Sequence, residues 1–80
     1  MSAARMSYQL RAKRTVKAEM AKRGVTYRTL AKRMNLSAPA LKTRIERGTF
    51  SMAFFLRCMD ALQVEFIDFV PAELVADEKR

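Results

Sequence analysis

Two short amphipathic segments, separated by a tight turn, stand in the middle of the chain and restrict its fold more than any other feature. Thr26 is placed to cap the first segment and Ser37 the second, because hydroxyl side chains accept hydrogen bonds from the free N–H groups in the first turn of a helix. Gly48 supplies the left-handed conformation that commonly ends a helix. The pattern therefore predicts two consecutive helices, at about residues 26–34 and 38–47.

Each of these segments has one apolar face and one basic face. Apolar residues recur at intervals of three and four, as in a helix that packs one side against a core. The core-facing residues are Leu30, Ala31, Met34, Leu41 and Ile45. Pro39 lies in the first turn of the second helix, where no backbone N–H donor is required. Lys or Arg occupies nearly every outward polar position, so the pair has the outline of a helix-turn-helix with a basic surface.

The size and composition of the chain limit the alternatives. Its 80 residues allow one domain with one small core, and the apolar spacing makes that domain all-α, compact, with four to five helices. No apolar run approaches the roughly 18 residues that a membrane-spanning helix needs, so no membrane contact is expected. Cys58 is the single cysteine, which excludes an internal disulfide and makes a cytoplasmic location the simplest expectation.

A catalytic function is not expected from this sequence. The chain has no histidine, and it lacks a convincing pair of carboxylates, a Gly-rich phosphate loop and a set of metal ligands. No cofactor and no metal are predicted.

Positive charge is concentrated in the first part of the chain. Residues 1–48 carry thirteen Lys or Arg against two Glu, a balance of +11, whereas residues 49–80 carry three against six acidic residues, a balance of −3; together they give the net charge of +8. A molecule with this asymmetry is expected to dock on a polyanion such as nucleic acid in one orientation. The alternative interpretation is that Lys and Arg only solvate the helix surfaces.

The sequence predicts a domain with a segment on either side. Residues 1–9 are expected to form a flexible basic arm, residues 10–76 the helix-turn-helix domain, and residues 77–80 a frayed tail. The first helix of the domain begins near Leu10 or near Thr15, and the apolar spacing leaves both starts open.

A further helix is predicted from Ser51 onward. Its main apolar stripe is expected to form the wall of the core, and a second apolar stripe lies beside it. The main stripe consists of Met52, Phe55, Leu56, Met59 and Leu62, and the second of Phe54, Cys58 and Ala61. The face with the main stripe is suited to the core, and the face with the second stripe is available for a contact with another part of the molecule or with a partner.

Large apolar residues continue after this helix as far as Pro71, and a short helical turn is predicted at residues 72–75. Two interpretations of this segment stay open: it folds back to close the core, or it forms a subunit or partner interface. The interface candidates are Phe54, Phe66, Phe69 and Leu74.

Three groups of residues in the central motif carry a family resemblance. They are Thr26, Leu30 and Ala31 at the opening of the first helix, Asn35, Leu36 and Ser37 in the turn, and Ile45, Glu46, Arg47 and Gly48 at the exit from the second helix. Together they resemble the small Cro/C1 (XRE)-type helix-turn-helix transcriptional regulators of bacteria, phages and mobile elements. The resemblance implies a repressor-type domain that binds duplex DNA, commonly as a dimer on paired half-sites.

The resemblance also implies roles for individual residues. The recognition helix of this family enters the major groove with its N-terminal half, which makes base-reading candidates of Ser37, Ala38, Ala40, Lys42, Thr43 and Arg44. Among them only Lys42 and Arg44 carry donors that pair with guanine O6 and N7. The phosphate candidates are Tyr27, Arg28, Lys32, Arg33 and Arg47.

A second function, from a different class, stays open. A helix-turn-helix-like antiactivator would bind and sequester a transcriptional activator, using a hydrophobic anchor of the kind that the interface candidates offer. The small side chains at several base-reading positions agree with this alternative, whereas the basic half of the chain favours DNA. The expected partners are therefore duplex DNA, a second copy of the chain and, in the alternative, a transcription factor.

Overall fold

The computed structural model describes residues 7–71, and these form four α-helices without strands. The helices are α1 (Tyr8–Arg23), α2 (Tyr27–Arg33), α3 (Ala38–Arg47) and α4 (Met52–Ala61). The all-α fold expected from the sequence is confirmed. The two central helices expected from the sequence correspond to α2 and α3, and their ends agree to within about one residue. None of the helices within residues 7–71 is long and apolar enough to cross a membrane.

A serine or a threonine caps each helix at its N-terminus. The side-chain oxygen accepts a hydrogen bond from the backbone N–H three residues further along, at 3.0 to 3.2 Å. The capping residues are Ser7, Thr26, Ser37 and Ser51. Since one cap typically stabilises a helix by about 1 kcal/mol, the caps explain why these short helices begin where they do.

α1 begins at Tyr8, earlier than either start that the apolar spacing indicated. Ser7 caps the helix, and the Arg11 N–H donates to the Ser7 carbonyl oxygen at 2.9 Å. The first turns contain few large apolar residues, so a hydrophobic period does not reveal them, although most of their residues favour a helix. These turns bring α1 against the end of α3, where a Cβ on Gly48 would collide with the Gln9 carbonyl group.

The turn between α2 and α3 spans four residues. Asn35 adopts the left-handed conformation, with a φ of 58°, which Asn tolerates better than most residues. The Leu36 N–H donates to the Ala31 carbonyl oxygen at 2.9 Å and closes the last turn of α2. The predicted turn at Asn35 and Leu36 is confirmed.

The core lies where the four helices meet. Its buried residues are Val16, Met20, Leu30, Ala31, Met34, Leu41, Ile45, Phe54, Phe55, Cys58, Met59 and Leu62. All five inward residues predicted for α2 and α3 belong to it. The hydrophobic pattern therefore identified correctly which faces of these two helices turn inward.

The inward face of α4 is shifted from the one expected. Phe55, Met59 and Leu62 of the predicted core wall are buried, but Met52 and Leu56 are 68% and 53% exposed. Phe54 and Cys58 of the second stripe are buried in their place. α4 is apolar around more than half of its circumference, so its own residues did not decide which face packs. Because Phe54 is buried, its assignment as an interface candidate is wrong.

The segment after α4 folds back onto α1. Val70 is buried, its N–H donates to Thr15 Oγ1 at 3.2 Å, and its carbonyl oxygen accepts from Arg11 Nε at 3.1 Å. Ile67 packs against the core. Of the two interpretations that the sequence left open, closure of the core therefore holds for this part of the segment.

Several expectations fall outside the described residues. They concern most of the predicted N-terminal arm, the helical turn at residues 72–75 with the interface candidate Leu74, and the tail at residues 77–80.

Candidate nucleic-acid interface

α2 and α3 carry six exposed basic side chains, here called the basic surface. They are Arg28, Lys32, Arg33, Lys42, Arg44 and Arg47. All were predicted as phosphate or base contacts. Within residues 7–71 none of the six forms a salt bridge, so their charges are not neutralised by any acidic group in that part of the chain.

Four basic side chains of α1, those of Lys13, Lys17, Lys22 and Arg23, have acidic partners instead. The buried Glu19 carboxylate lies 3.1 Å from Lys22 Nζ and 3.4 Å from Arg23 Nε, and Lys22 also contacts Asp68 at 3.4 Å. The positive charges of Lys22 and Arg23 are therefore neutralised by acidic groups within the molecule. The difference between α1 and the α2–α3 pair is a property of the folded domain that residue counts did not reveal.

Two arginines connect α2 and α4 through helix ends. Arg33 Nη1 donates to the Ala61 carbonyl oxygen, and Arg57 Nη2 donates to the Met34 carbonyl oxygen, both at 3.1 Å. Each cation thus lies at the C-terminal end of the other's helix, where free carbonyl groups and the helix dipole favour positive charge. Because a carbonyl group carries no net charge, these hydrogen bonds do not neutralise the positive charge of either arginine. Arg57 was not identified from the sequence, since nothing on α4 itself marks it.

Arg44 stacks on the aromatic ring that α4 presents to α3. Its guanidinium carbon lies 3.9 Å from the centre of the Phe54 ring, a separation typical of a cation–π contact. The stack restricts the orientation of the guanidinium group and leaves its charge in place. The base-reading role of Arg44 stays a prediction, and the structure adds a packing role.

The remaining base-reading candidates differ in what they can offer. Ser37 Oγ is engaged in capping α3, and Ala38 packs partly against the core. Ala40, Lys42 and Thr43 are exposed. Among the base-reading candidates, Lys42 is therefore the exposed cation for which no intramolecular contact competes within the described residues.

Tyr27 is held inside a cluster of polar groups. Its hydroxyl donates to Glu46 Oε2 at 2.7 Å, Lys17 Nζ donates to the same oxygen at 2.9 Å, and Lys13 Nζ lies 3.4 Å from Glu46 Oε1. We call these four residues the Glu46 cluster. It joins α1, α2 and α3, and Tyr27, predicted as a phosphate contact, is half-buried in it.

The contacts within the Glu46 cluster shift two proton equilibria. The Tyr27 hydroxyl, followed by Lys17 and Lys13, stabilises the carboxylate and lowers the pKa of Glu46 to about 2. Burial, followed by the neighbouring carboxylate, raises the pKa of Tyr27. At neutral pH Glu46 is therefore ionised, and Tyr27 is a hydrogen-bond donor. The site candidates predicted from the sequence did not include the two lysines of this cluster, although their four-residue spacing places them on one face of α1.

An apolar groove lies between the start of α1, the start of α4 and the returning segment. Its volume is about 370 Å³, and its lining includes Tyr8, Phe50, Met52, Phe55 and Phe69. The Phe55 ring is stacked between those of Phe50 and Phe69, with centroids 6.3 and 6.2 Å away.

The interface candidates Phe69 and Phe66 are 62% and 85% exposed. Phe69 lines the groove, and Phe66 lies beyond its lining residues. The described residues contain no cluster of acidic, His or Cys side chains that could hold a metal ion.

The chain is thus a small all-α domain whose second and third helices expose a basic surface. Over residues 8–67 it matches the family described as a domain of unknown function, DUF6471, and it belongs to that family. No curated protein and no solved structure matches the chain.

Proposed function

We propose that the protein is a small cytoplasmic transcriptional regulator that binds duplex DNA through α2 and α3. The observation that carries this proposal is the contrast in charge pairing. Arg28, Lys32, Lys42 and Arg47 have no acidic partner within residues 7–71, while three lysines and one arginine of α1 do. Unpaired cations on consecutive short helices are suited to the phosphates on either side of a groove.

The proposed contacts divide into two kinds. Arg28, Lys32, Arg33 and Arg47 contact phosphates and position the protein, and Lys42 and Arg44 on α3 read base edges. The resemblance of the turn and of the α3 exit to Cro/C1-type regulators supports this division. With four to five phosphates neutralised, log affinity should fall against log salt with a slope of about −4.

We propose further that two copies bind paired half-sites. The exposed apolar groove that Phe69 and Met52 line supports a contact between copies, because isolated domains rarely expose so many neighbouring large apolar side chains,.

The alternative is an antiactivator that sequesters a transcription factor. The same groove favours it, since an apolar anchor in such a groove would supply much of the binding energy. The unpaired basic surface supports the DNA proposal more directly, because a protein partner would not require it.

Fluorescence anisotropy tests the DNA proposal, with labelled duplexes of the protein's own promoter region and of a scrambled sequence. Lys32→Gln should weaken binding to both duplexes alike and flatten the salt slope by about 0.9. Lys22→Gln removes the same charge from α1, where Lys22 is already paired, and should change binding little. Wild-type binding that is weak and equal on both duplexes would reject the proposal and favour the antiactivator.

A further inference from the structure

The Glu46 cluster brings three donors from two helices to a single carboxylate on a third. Lys13 and Lys17 are one turn apart on α1, and Tyr27 is the first residue of α2. Their donor atoms lie 3.4, 2.9 and 2.7 Å from the Glu46 oxygens. Two ammonium groups face one carboxylate, so the cluster keeps a net positive charge.

Ammonium and hydroxyl groups such as these also bind phosphate groups. A carboxylate and a phosphodiester each present two charged oxygens, and both are bound by ammonium groups and by neutral hydroxyl donors. A site that holds the carboxylate of Glu46 through two lysines and a phenol is therefore also matched to one phosphate.

The cluster is partly open to solvent, and two of its residues are sequence neighbours of arginines of the basic surface. The Lys17 and Lys13 side chains are 46% and 26% exposed. Arg28 directly follows Tyr27 and Arg47 directly follows Glu46, and both arginines are exposed without an acidic partner in the described part of the chain.

Glu46 itself is poorly supported by its own helix. It lies in the last turn of α3, where the helix dipole disfavours negative charge,. Its carboxylate is consequently held by groups on α1 and α2.

We propose that Lys13, Lys17 and Tyr27 form a binding site for one backbone phosphate of duplex DNA, which the Glu46 carboxylate fills in the free protein. This inference rests on the proposed function. Binding of the phosphate moves the carboxylate out of the site. Because phosphate contacts carry no sequence information, Glu46 restrains binding to all duplexes and leaves selectivity to the base contacts.

The test compares Glu46→Gln with Glu65→Gln. Both changes raise the net charge by one, but Glu65 is exposed and makes no contact with the cluster. Glutamine at position 46 still accepts a hydrogen bond from Tyr27. Glu46→Gln should bind both duplexes about five- to tenfold more tightly than Glu65→Gln at low salt, because no carboxylate has to be displaced. The salt slopes of the two variants should be the same, since both complexes neutralise the same phosphates. Equal affinities for the two variants would overturn the proposal.

A second variant covers the case in which Glu46→Gln does not fold. Replacing both Lys13 and Lys17 by Gln in the wild-type protein should flatten the salt slope by about 0.9 relative to Lys22→Gln. A slope unchanged from that control would show that the lysines only hold the helices together and would reject the phosphate site.

A titration with sulfate separates this inference from the proposed function. Followed by the backbone amide signals of the protein, sulfate should shift the signals of residues 13, 17 and 27 in Glu46→Gln at concentrations that leave the wild type unchanged. If sulfate causes these shifts but neither protein binds the duplexes, the DNA function is rejected and the anion site is retained. If the proteins bind the duplexes but sulfate does not cause the shifts, the anion site is rejected and the DNA function is retained.

Discussion

At the scale of single residues, the arginines of this domain have different roles although the sequence presents them alike. Arg33 and Arg57 bind carbonyl groups at helix ends, Arg44 lies over an aromatic ring, and Arg28 and Arg47 have no acidic partner within residues 7–71. The sequence predicted that most of them are exposed and basic. It did not separate them, because the groups they contact come from other helices.

The base-reading role proposed for Arg44 and its contact with Phe54 can both be tested. Arg44→Ala should reduce binding to a specific duplex by about 1–3 kcal/mol more than binding to a random one. It should also lower the free energy of unfolding by about 0.5–1 kcal/mol, since the cation–π contact with Phe54 is lost. Anisotropy titrations and urea denaturation give the two values. Equal losses on both duplexes would remove Arg44 from the base-reading residues.

The low pKa of Glu46 predicts how stability depends on pH. The folded pKa is about 2 and the ordinary value is 4.5, so the stabilising contribution is present above about pH 4.5 and is lost as the pH falls toward 2. The carboxylate is partly exposed, so the loss should stay below about 1 kcal/mol.

Thermal unfolding between about pH 2 and 5 tests this prediction. The melting temperature of Glu46→Gln should fall less with decreasing pH than that of the wild type, while Glu65→Gln should follow the wild type. Parallel curves for the wild type and Glu46→Gln would contradict the proposed ion pairs.

At the scale of the helices, local signals decided where elements begin and end, and tertiary contacts decided how α4 is turned. Hydroxyl caps and left-handed residues lie next to the helices that they delimit, so the sequence revealed most of them. The start of α1 was an exception, because its first turns lack an apolar period. α4 offered two apolar stripes, and its inward face combines parts of both: Phe54 and Cys58 of one stripe are buried with Phe55 and Met59 of the other.

Two alanine substitutions on α4 test its orientation. Met59→Ala should lower the free energy of unfolding by about 2–5 kcal/mol, because Met59 is buried in the core,. Leu56→Ala should cost about 0.5 kcal/mol or less, because Leu56 is exposed,. Urea denaturation of both variants at low protein concentration gives the comparison. A loss for Leu56→Ala as large as for Met59→Ala would show that α4 is turned as the sequence first indicated.

At the scale of the whole molecule, the domain separates a basic surface on α2 and α3 from an apolar groove formed by α1, α4 and the returning segment. The charge balance of +11 in the first 48 residues anticipated the basic surface. The groove was foreseen only in part: Phe69 was predicted as an interface residue, but Phe55 was expected only in the core wall, and Tyr8 and Phe50 were not singled out. These side chains are distant in sequence and meet only after the chain folds back.

Phe69→Asp tests whether the groove is a contact between copies. The charge should release monomer, seen as a lower mass in sedimentation, while far-ultraviolet circular dichroism stays unchanged. Phe66→Asp introduces the same charge outside the lining of the groove and should leave the mass unaltered. A wild type that is already monomeric at high concentration would reject the dimer and leave the groove to another protein.

By itself, the sequence determined the all-α class, the positions of α2 and α3 with their caps and turn, their inward faces and the uneven charge. These properties depend on residues that are close together in the sequence and on the spacing of apolar residues along a helix. Both can be seen in a short stretch of sequence. Tertiary structure alone decided the inward face of α4, the stack of Arg44 on Phe54 and the gathering of Lys13, Lys17 and Tyr27 around Glu46. Each of these joins groups from different helices, so its energy exists only once the helices pack together.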